Sequence, residues 1–250
     1  TWENGKNEQS HQDPTLAEAL IGEMSDVSRV LFPVDANSVV ATLRAAYATR
    51  GQFWTLIVPK RPLPVRVTEQ QALQLVTNGA VTVKPCPRAS VLLLAVGAYQ
   101  LEECLRAAER LDARGIATAV VCLLEPARFR QPRDAREARF VANADALREL
   151  LPQSARARVL VSHTRPEPML GLLRRFDTGP EHTAALGYIS RGGTLDVAGM
   201  LFANRCTWAH IVAMAATLVG ARVDGLLNAD ELAAVEGRGD PQVVMQGGRR

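Results

Sequence analysis

With 250 residues, 47% of them hydrophobic, and a net charge of +3, the chain can bury one good-sized core or two modest ones. It lacks the clustered basic surface that nucleic-acid binding needs. Its longest largely apolar run, Ile211 to Val219, is too short to span a bilayer. Cys86, Cys104, Cys122 and Cys206 lie far apart with no Cys-X-X-Cys pair, which fits neither a zinc site nor a disulfide framework and points to a reducing, cytoplasmic setting.

In chain order, Asp13 and Pro14 read as a helix start, with Leu16, Ala19, Leu20 and Met24 following at helical spacing. Val27 to Phe32 is a short apolar strand that Pro33 ends, and Asp35 then caps a helix running to about Thr49. Gly51 stops that helix, and Phe53 to Val58 reads as a buried strand. This alternation predicts right-handed β-α-β connections and a parallel sheet. Pro59, Pro62 and Pro64 on one side, and Pro85 and Pro87 on the other, bracket a helix from Thr68 to Asn78, so a connector is expected there, with a domain boundary near residue 85.

Ser90 to Val96 is a continuous apolar strand, followed at Gly97 by a helix with Leu101, Cys104, Leu105, Ala108 and Leu111 on one side, and then by a strand from Ile116 to Leu123. Arg128, Arg130, Arg133, Arg136 and Arg139, interleaved with Asp134 and Glu137, read as a solvated irregular loop. Beyond it come a helix at Ala144 to Leu151, a strand at Arg158 to Ser162, a helix near Met169 to Phe176 and a strand at Ala184 to Ile189. The last clear helix runs from an N-cap at Thr207 to Val219, and the Gly-rich tail from Gly237 to Arg250 reads as frayed.

His11 stands just ahead of the first helix, where free backbone N–H groups suit a phosphate or polyhydroxy ligand and an imidazole can move protons near neutral pH. Lys60 follows a predicted strand at its C-terminal end, where open α/β sheets form ligand crevices. Taken alone, the first pattern is also that of a simple helix cap, and the second that of a solvated loop lysine. Asp35 and Asn37 read as helix-start residues, His163 as a structural residue at a strand end, and Gly192-Gly193-Thr194 as a turn. Neither a phosphate-loop pattern nor a dinucleotide glycine fingerprint is present.

Thr1-Trp2, Lys6-Asn7 and Ser10-His11-Gln12-Asp13-Pro14 resemble, in order and spacing, the phosphoketolase segment Trp … His-Asn-Gly-Phe-Ser-His-Gln-Asp-Pro. Arg29 to Asn37 resembles the strand and Pro-X-Asp-Ala-Asn turn of that family, Ile57 to Pro62 its Val-Ala-Gly-Lys-Gln-Pro, and Gly187-Tyr188 with Gly193-Thr194 its Arg-Gly-Tyr-Lys-Glu-Glu-Gly-Thr-Thr. The resemblance runs to about residue 65 and resumes from 157 to 219. It implies a two-lobed α/β fold. Residues 1–84 would be the rear part of a thiamine-diphosphate pyrimidine-binding domain with a parallel sheet. Residues 85–250 would be a transketolase-like C-terminal domain with a mostly parallel sheet.

The same resemblance implies the C-terminal region of an enzyme that cleaves xylulose 5-phosphate or fructose 6-phosphate with inorganic phosphate, giving acetyl phosphate and an aldose phosphate. His11 would be catalytic, and Asn7, Lys60, Lys6 and Gln12 would contact substrate. Thiamine diphosphate and Mg2+ would be held by residues outside this chain, and the parent would be a cytoplasmic homodimer with no nucleic-acid or membrane partner. The chain begins inside a motif at Thr1, so a piece of a longer polypeptide, inactive alone, is expected. Lys6 replaces a family histidine, and Glu8-Gln9 replace Gly-Phe; a lysine keeps the positive charge but exchanges protons near neutrality less readily than imidazole. Two alternatives remain open: a non-catalytic dimerisation or scaffold module, and part of a transketolase-like enzyme that passes the two-carbon unit to an aldose.

Overall fold

The computed structural model describes residues 1–3, 11 and 13–245. Its centre is a five-stranded sheet of order β3-β5-β4-β6-β7, built from β3 (Ala80–Lys84), β4 (Val91–Val96), β5 (Thr118–Leu123), β6 (Ala157–Ser162) and β7 (Thr183–Leu186). All pairings are parallel except that of β3 with β5. β4 is buried along its whole length because both faces are covered, as parallel sheets require. Val91, Leu93 and Ala95 face the core shared with α4 (Ala98–Ala113) and α8 (Trp208–Val219). Leu92, Leu94 and Val96 face a second core with Leu160, Met169, Leu173 and Phe176.

A second, two-stranded parallel sheet pairs β1 (Ser28–Leu31) with β2 (Phe53–Leu56) across α2 (Ala36–Ala48). Asp35 caps α2 as expected, its carboxylate accepting the Ser38 N–H at 2.9 Å. The other oxygen of that carboxylate accepts from the N–H groups of Arg66 and Val67 at 2.7 and 2.9 Å, so one side chain fixes both the helix start and the strand-to-helix connector. The two sheets are not independent. The N–H of Phe32, just past β1, donates to the carbonyl of Leu124, just past β5, at 2.8 Å. Val30 and Phe32 enter one core of the larger sheet and Leu31 and Val34 the other.

Several expectations are corrected. The first helix, α1 (Thr15–Gly22), starts one residue later than Pro14, although the Asp13 carboxylate still accepts the Thr15 N–H at 2.8 Å. β3, which follows α3 (Glu69–Asn78), is an element the sequence does not announce; it lies ahead of the boundary expected near residue 85 yet pairs with β5 of the five-stranded sheet. Its short run between helix and prolines carries only Val81 and Val83 as period-two apolar residues, and these pack onto the core.

The arginine-rich stretch is irregular and exposes Arg133, Arg136 and Arg139, as expected, but it is anchored at buried points. Phe129 and Glu137 are buried, and the Arg133 guanidinium clasps Glu137 at 2.7 Å while also donating to the carbonyls of Gly22 and Glu23. The tail is docked as far as residue 245. α9 (Ala229–Val235) is capped by Asn228 and Glu231, and Val244 in α10 (Gln242–Met245) accepts the Trp208 indole N–H at 2.9 Å. The rest of the tail, 246–250, lies outside the described residues. A further short helix, α7 (Val197–Ala203), and the shortened α6 (Pro166–Leu172) complete the second lobe with α5 (Ala144–Leu150).

Candidate functional site

The C-terminal ends of β1, β4, β6 and β7 meet at one crest, and the turns leaving them are sterically exacting. Gly97, between β4 and α4, has φ +112°, and a Cβ there would lie 2.4 Å from the Gln100 amide oxygen. Gly187, just past β7, passes so close to the turn after β6 that a Cβ would lie 2.3 Å from the Thr164 carbonyl. Into this crest comes Trp2. It is 0% exposed, its indole N–H donates to the carbonyl of His163 at 3.2 Å, and its ring stacks on the His163 imidazole at 5.8 Å. Tyr188 and Phe32 close the cluster, with centroids 6.4 Å from Trp2 and 5.9 Å from His163 respectively. Burial pushes the His163 pKa down to about 3, so its ring is neutral at pH 7. The crevice at the strand ends, where open α/β sheets commonly bind ligands, is packed with the chain's own aromatic residues.

Beside Trp2, the Glu3 carboxylate gathers donors from three segments. Its Oε2 accepts the Lys60 N–H at 2.5 Å and the Thr1 hydroxyl at 3.1 Å. Its Oε1 accepts the Arg61 N–H at 3.2 Å and the Tyr99 hydroxyl. The Lys60 ammonium donates to the Glu3 carbonyl at 3.3 Å. Burial opposes the charge on Glu3, but the hydrogen bonds from Tyr99, Lys60, Thr1 and Arg61 outweigh it and hold the carboxyl below its ordinary range. The Tyr99 hydroxyl is correspondingly pushed well above the usual phenol range by burial and by the carboxylate it faces.

Of the residues expected to carry function, Asn7, Lys6 and Gln12 lie outside the described residues. His11 is exposed. Two residues on, Asp13 forms an ion pair with Arg165 at 2.6 Å, and Arg165 also holds Glu18 at 2.7 Å and lies over the Tyr188 ring at 5.3 Å. Lys60 is exposed and is tied through Glu3 to the segment whose Trp2 sits on His163. The neighbours of both candidates thus lean on the same turn, residues 163–165, after β6.

Reading the sequence missed Glu3, Tyr99 and Arg165. No local pattern marks Glu3 or Tyr99; Arg165 stands before Pro166 at a predicted strand end, which was a weak signal. A cavity of about 250 Å3 between α1 and α6, lined by Glu18, Ile21, Arg130, Thr164, Met169 and Leu172 among others, includes neither His11 nor Lys60. Among the described residues no group of three or more His, Cys, Asp or Glu stands ready to hold a metal ion, and no helix is long and apolar enough to cross a membrane.

Comparison with known proteins gives two kinds of likeness. The family described as D-xylulose 5-phosphate/D-fructose 6-phosphate phosphoketolase matches residues 1–49. A probable phosphoketolase 1 of Rhizobium meliloti (strain 1021) is 30% identical over 78 residues, 31% of this chain and 10% of that protein. A probable phosphoketolase of Lactococcus lactis subsp. lactis is 28% identical over 82 residues, 33% of this chain and 10% of that protein. The chain therefore matches about a tenth of the length of these relatives.

Among solved structures, a transketolase from Pichia stipitis in complex with xylulose 5-phosphate superposes with a TM-score of 0.59 at 17% identity, over 87% of this chain and 29% of that one. A split-gene transketolase described as an inactive β4 tetramer gives 0.52 at 17% identity, over 78% and 58%. At these identities the likeness is one of fold.

Proposed function

We propose, from a chain that is a phosphoketolase relative in its first lobe and transketolase-like in its fold, that it is the sugar-phosphate end of a phosphoketolase-type lyase. The reaction splits xylulose 5-phosphate or fructose 6-phosphate with inorganic phosphate into acetyl phosphate, an aldose phosphate and water. The observation that carries this reading is the convergence on residues 163–165: Asp13 beside His11 pairs with Arg165, and the Trp2-Glu3 segment that holds Lys60 sits on His163. In this reading the Lys60 ammonium holds the phosphate group at the end of β2, and His11 exchanges a proton with a sugar hydroxyl. Asn7, Lys6 and Gln12 are assigned to the sugar chain.

Thiamine diphosphate and Mg2+ do not fit the described residues. No metal-holding cluster is present among them, and the crest at the strand ends is filled by Trp2, Phe32, His163 and Tyr188. In line with the family resemblance, we assign the cofactor to residues outside this chain, in a cytoplasmic homodimeric parent, and assign no activity to these 250 residues alone. Because β3 pairs with the five-stranded sheet while α3 packs on α2, the first lobe is taken to end between α3 and β3. The test is kinetic. In the full-length parent, Lys60→Ala should raise the KM for fructose 6-phosphate about tenfold or more while changing kcat little; an unchanged KM refutes the role of Lys60.

A second reading, an assembly module without catalysis, is favoured by the apolar face that α2 leaves to solvent. Val40 and Leu43 are exposed there and Tyr47 is 89% exposed. Absence of acetyl phosphate from the full-length parent at any pH, with Tyr47→Asp halving its mass in solution, would favour this reading. Stimulation by ribose 5-phosphate in place of inorganic phosphate would indicate transfer to an aldose instead.

A further inference from the structure

We propose that the Glu3 carboxylate is an internal anion occupying the seat that the phosphate group of a sugar phosphate takes beside Lys60. This one side chain then sets whether the seat admits a phosphate monoester. The proposal rests on the sugar-phosphate reading of Lys60 given above and deepens it.

Glu3 is buried, yet among the described residues no Arg or Lys side chain closes on its carboxylate as an ion pair. Its charge is met instead by two consecutive backbone N–H groups, of Lys60 and Arg61, and by the hydroxyls of Tyr99 and Thr1. Successive backbone N–H groups converging on one point form a concavity suited to anions, phosphate among them. The arrangement is also unequally loaded. Among the described residues the Lys60 ammonium reaches only the Glu3 carbonyl, and the exposed Arg61 side chain makes no ion pair with the carboxylate, so two cations stand next to the seat without neutralising its occupant.

A phosphate monoester offers three terminal oxygens and up to two charges where the carboxylate offers two oxygens and one. It can therefore use the two N–H groups and the tyrosine hydroxyl and also take up the two cations. The carboxylate and a phosphate cannot share the seat, because like charges within a few ångströms repel strongly in a partly buried site. Entry of the phosphate thus requires the Glu3 side chain to leave. Trp2 is held separately, by His163, so this exchange does not require the segment to undock.

The experiment is calorimetric titration of inorganic phosphate, and separately of fructose 6-phosphate, into the 250-residue chain and its Glu3→Ala, Glu3→Gln and Glu3→Ala/Lys60→Ala variants, with circular dichroism confirming each fold. Glu3→Ala should bind phosphate about tenfold more tightly than the native chain, and the double variant should lose that gain. Glu3→Gln, which removes the charge but leaves the seat filled, should gain less and serves if the alanine variant does not fold. Unchanged phosphate affinity in the folded Glu3 variants overturns the proposal. A gain for phosphate with none for fructose 6-phosphate supports the internal anion and sinks the sugar-phosphate reading. Fructose 6-phosphate that binds the native and Glu3→Ala chains equally well, with phosphate affinity also unchanged, overturns the internal anion and leaves that reading standing.

Discussion

Arg29 and Glu125 meet at 2.6 Å with both side chains buried, Arg128 adds a second guanidinium to the same carboxylate at 3.1 Å, and the rings of Trp54 and Phe140 lie over the Arg29 guanidinium at 3.8 and 5.2 Å. Another polar junction between the first 65 residues and the rest of the fold, around Glu3, contains no such pair among the described residues; backbone N–H groups and hydroxyls hold the carboxylate. Both join β1-β2 to the larger sheet, but they differ in what can be exchanged. A charge sealed against two guanidinium groups has no substitute from solution, since removing it strands buried cations. An anion held by neutral donors can give way to another anion without leaving any buried charge unpaired. The first junction is architecture and the second is suited to recognition.

The sharpest way to break this comparison is to treat both acids alike. Glu125→Ala should cost about 3–5 kcal/mol of stability, because it leaves Arg29 buried and Arg128 half-buried without a counter-charge. Glu3→Ala should cost far less, and urea denaturation of the two variants side by side measures the ratio; equal losses would erase the distinction. Next in size is Trp2→Ala, which empties the crest and should cost about 3 kcal/mol or more, read from the same denaturation midpoints. If the indole only decorates the surface, the midpoint will not move.

Acid should reveal the crest before it affects the carboxylates. His163 is held near 3 and His210 near 4, both by burial, against an ordinary value of 6.5. As pH falls below 6.5 the unfolded chain takes up protons that the folded chain refuses. The stability these neutral rings provide is complete above that pH and is lost progressively toward pH 4 and 3, at about 1.4 kcal/mol per pH unit for each ring. His163→Gln should remove one ring's share of that slope between pH 6.5 and 4.5; an unchanged slope would mean that the imidazole is protonated in place. The smallest effect is expected from Tyr99→Phe, which removes one of four donors to Glu3 and should cost about 1.5 kcal/mol, together with a rise in the Glu3 pKa visible by carboxyl carbon NMR.

What the sequence made legible follows the range of the interactions involved. β4 and β5 were evident as continuous apolar runs, because burial on both faces of a parallel strand leaves no alternation to decipher. α2 was evident because Asp35 caps it locally. β3 escaped because two valines between a helix and two prolines carry little period-two signal, and its pairing with β5 spans some forty residues. The anchoring of the arginine-rich stretch is invisible in the sequence because its charges meet carbonyls and carboxylates on distant segments, such as Gly22, Glu23 and Asp26, which composition cannot reveal.

At the candidate site the same rule holds. Lys60 could be singled out because it follows a strand. Glu3 could not, since its donors come from residues 60, 61 and 99. The capping box of α9, Asn228 with Glu231, was readable and went unread because the helix behind it has only seven residues.

Trp2 is joined to the carbonyl of a residue 161 positions further on. During synthesis at cellular rates the indole must wait roughly 8–30 s before His163 exists to receive it. For that interval a large aromatic surface stands without its partner, and β1, whose Val30 and Leu31 are buried with strands not yet made, waits with it. Of the two lobes the one translated earlier thus waits for the later one, and its misfolding will track the pace of the ribosome between residues 3 and 163.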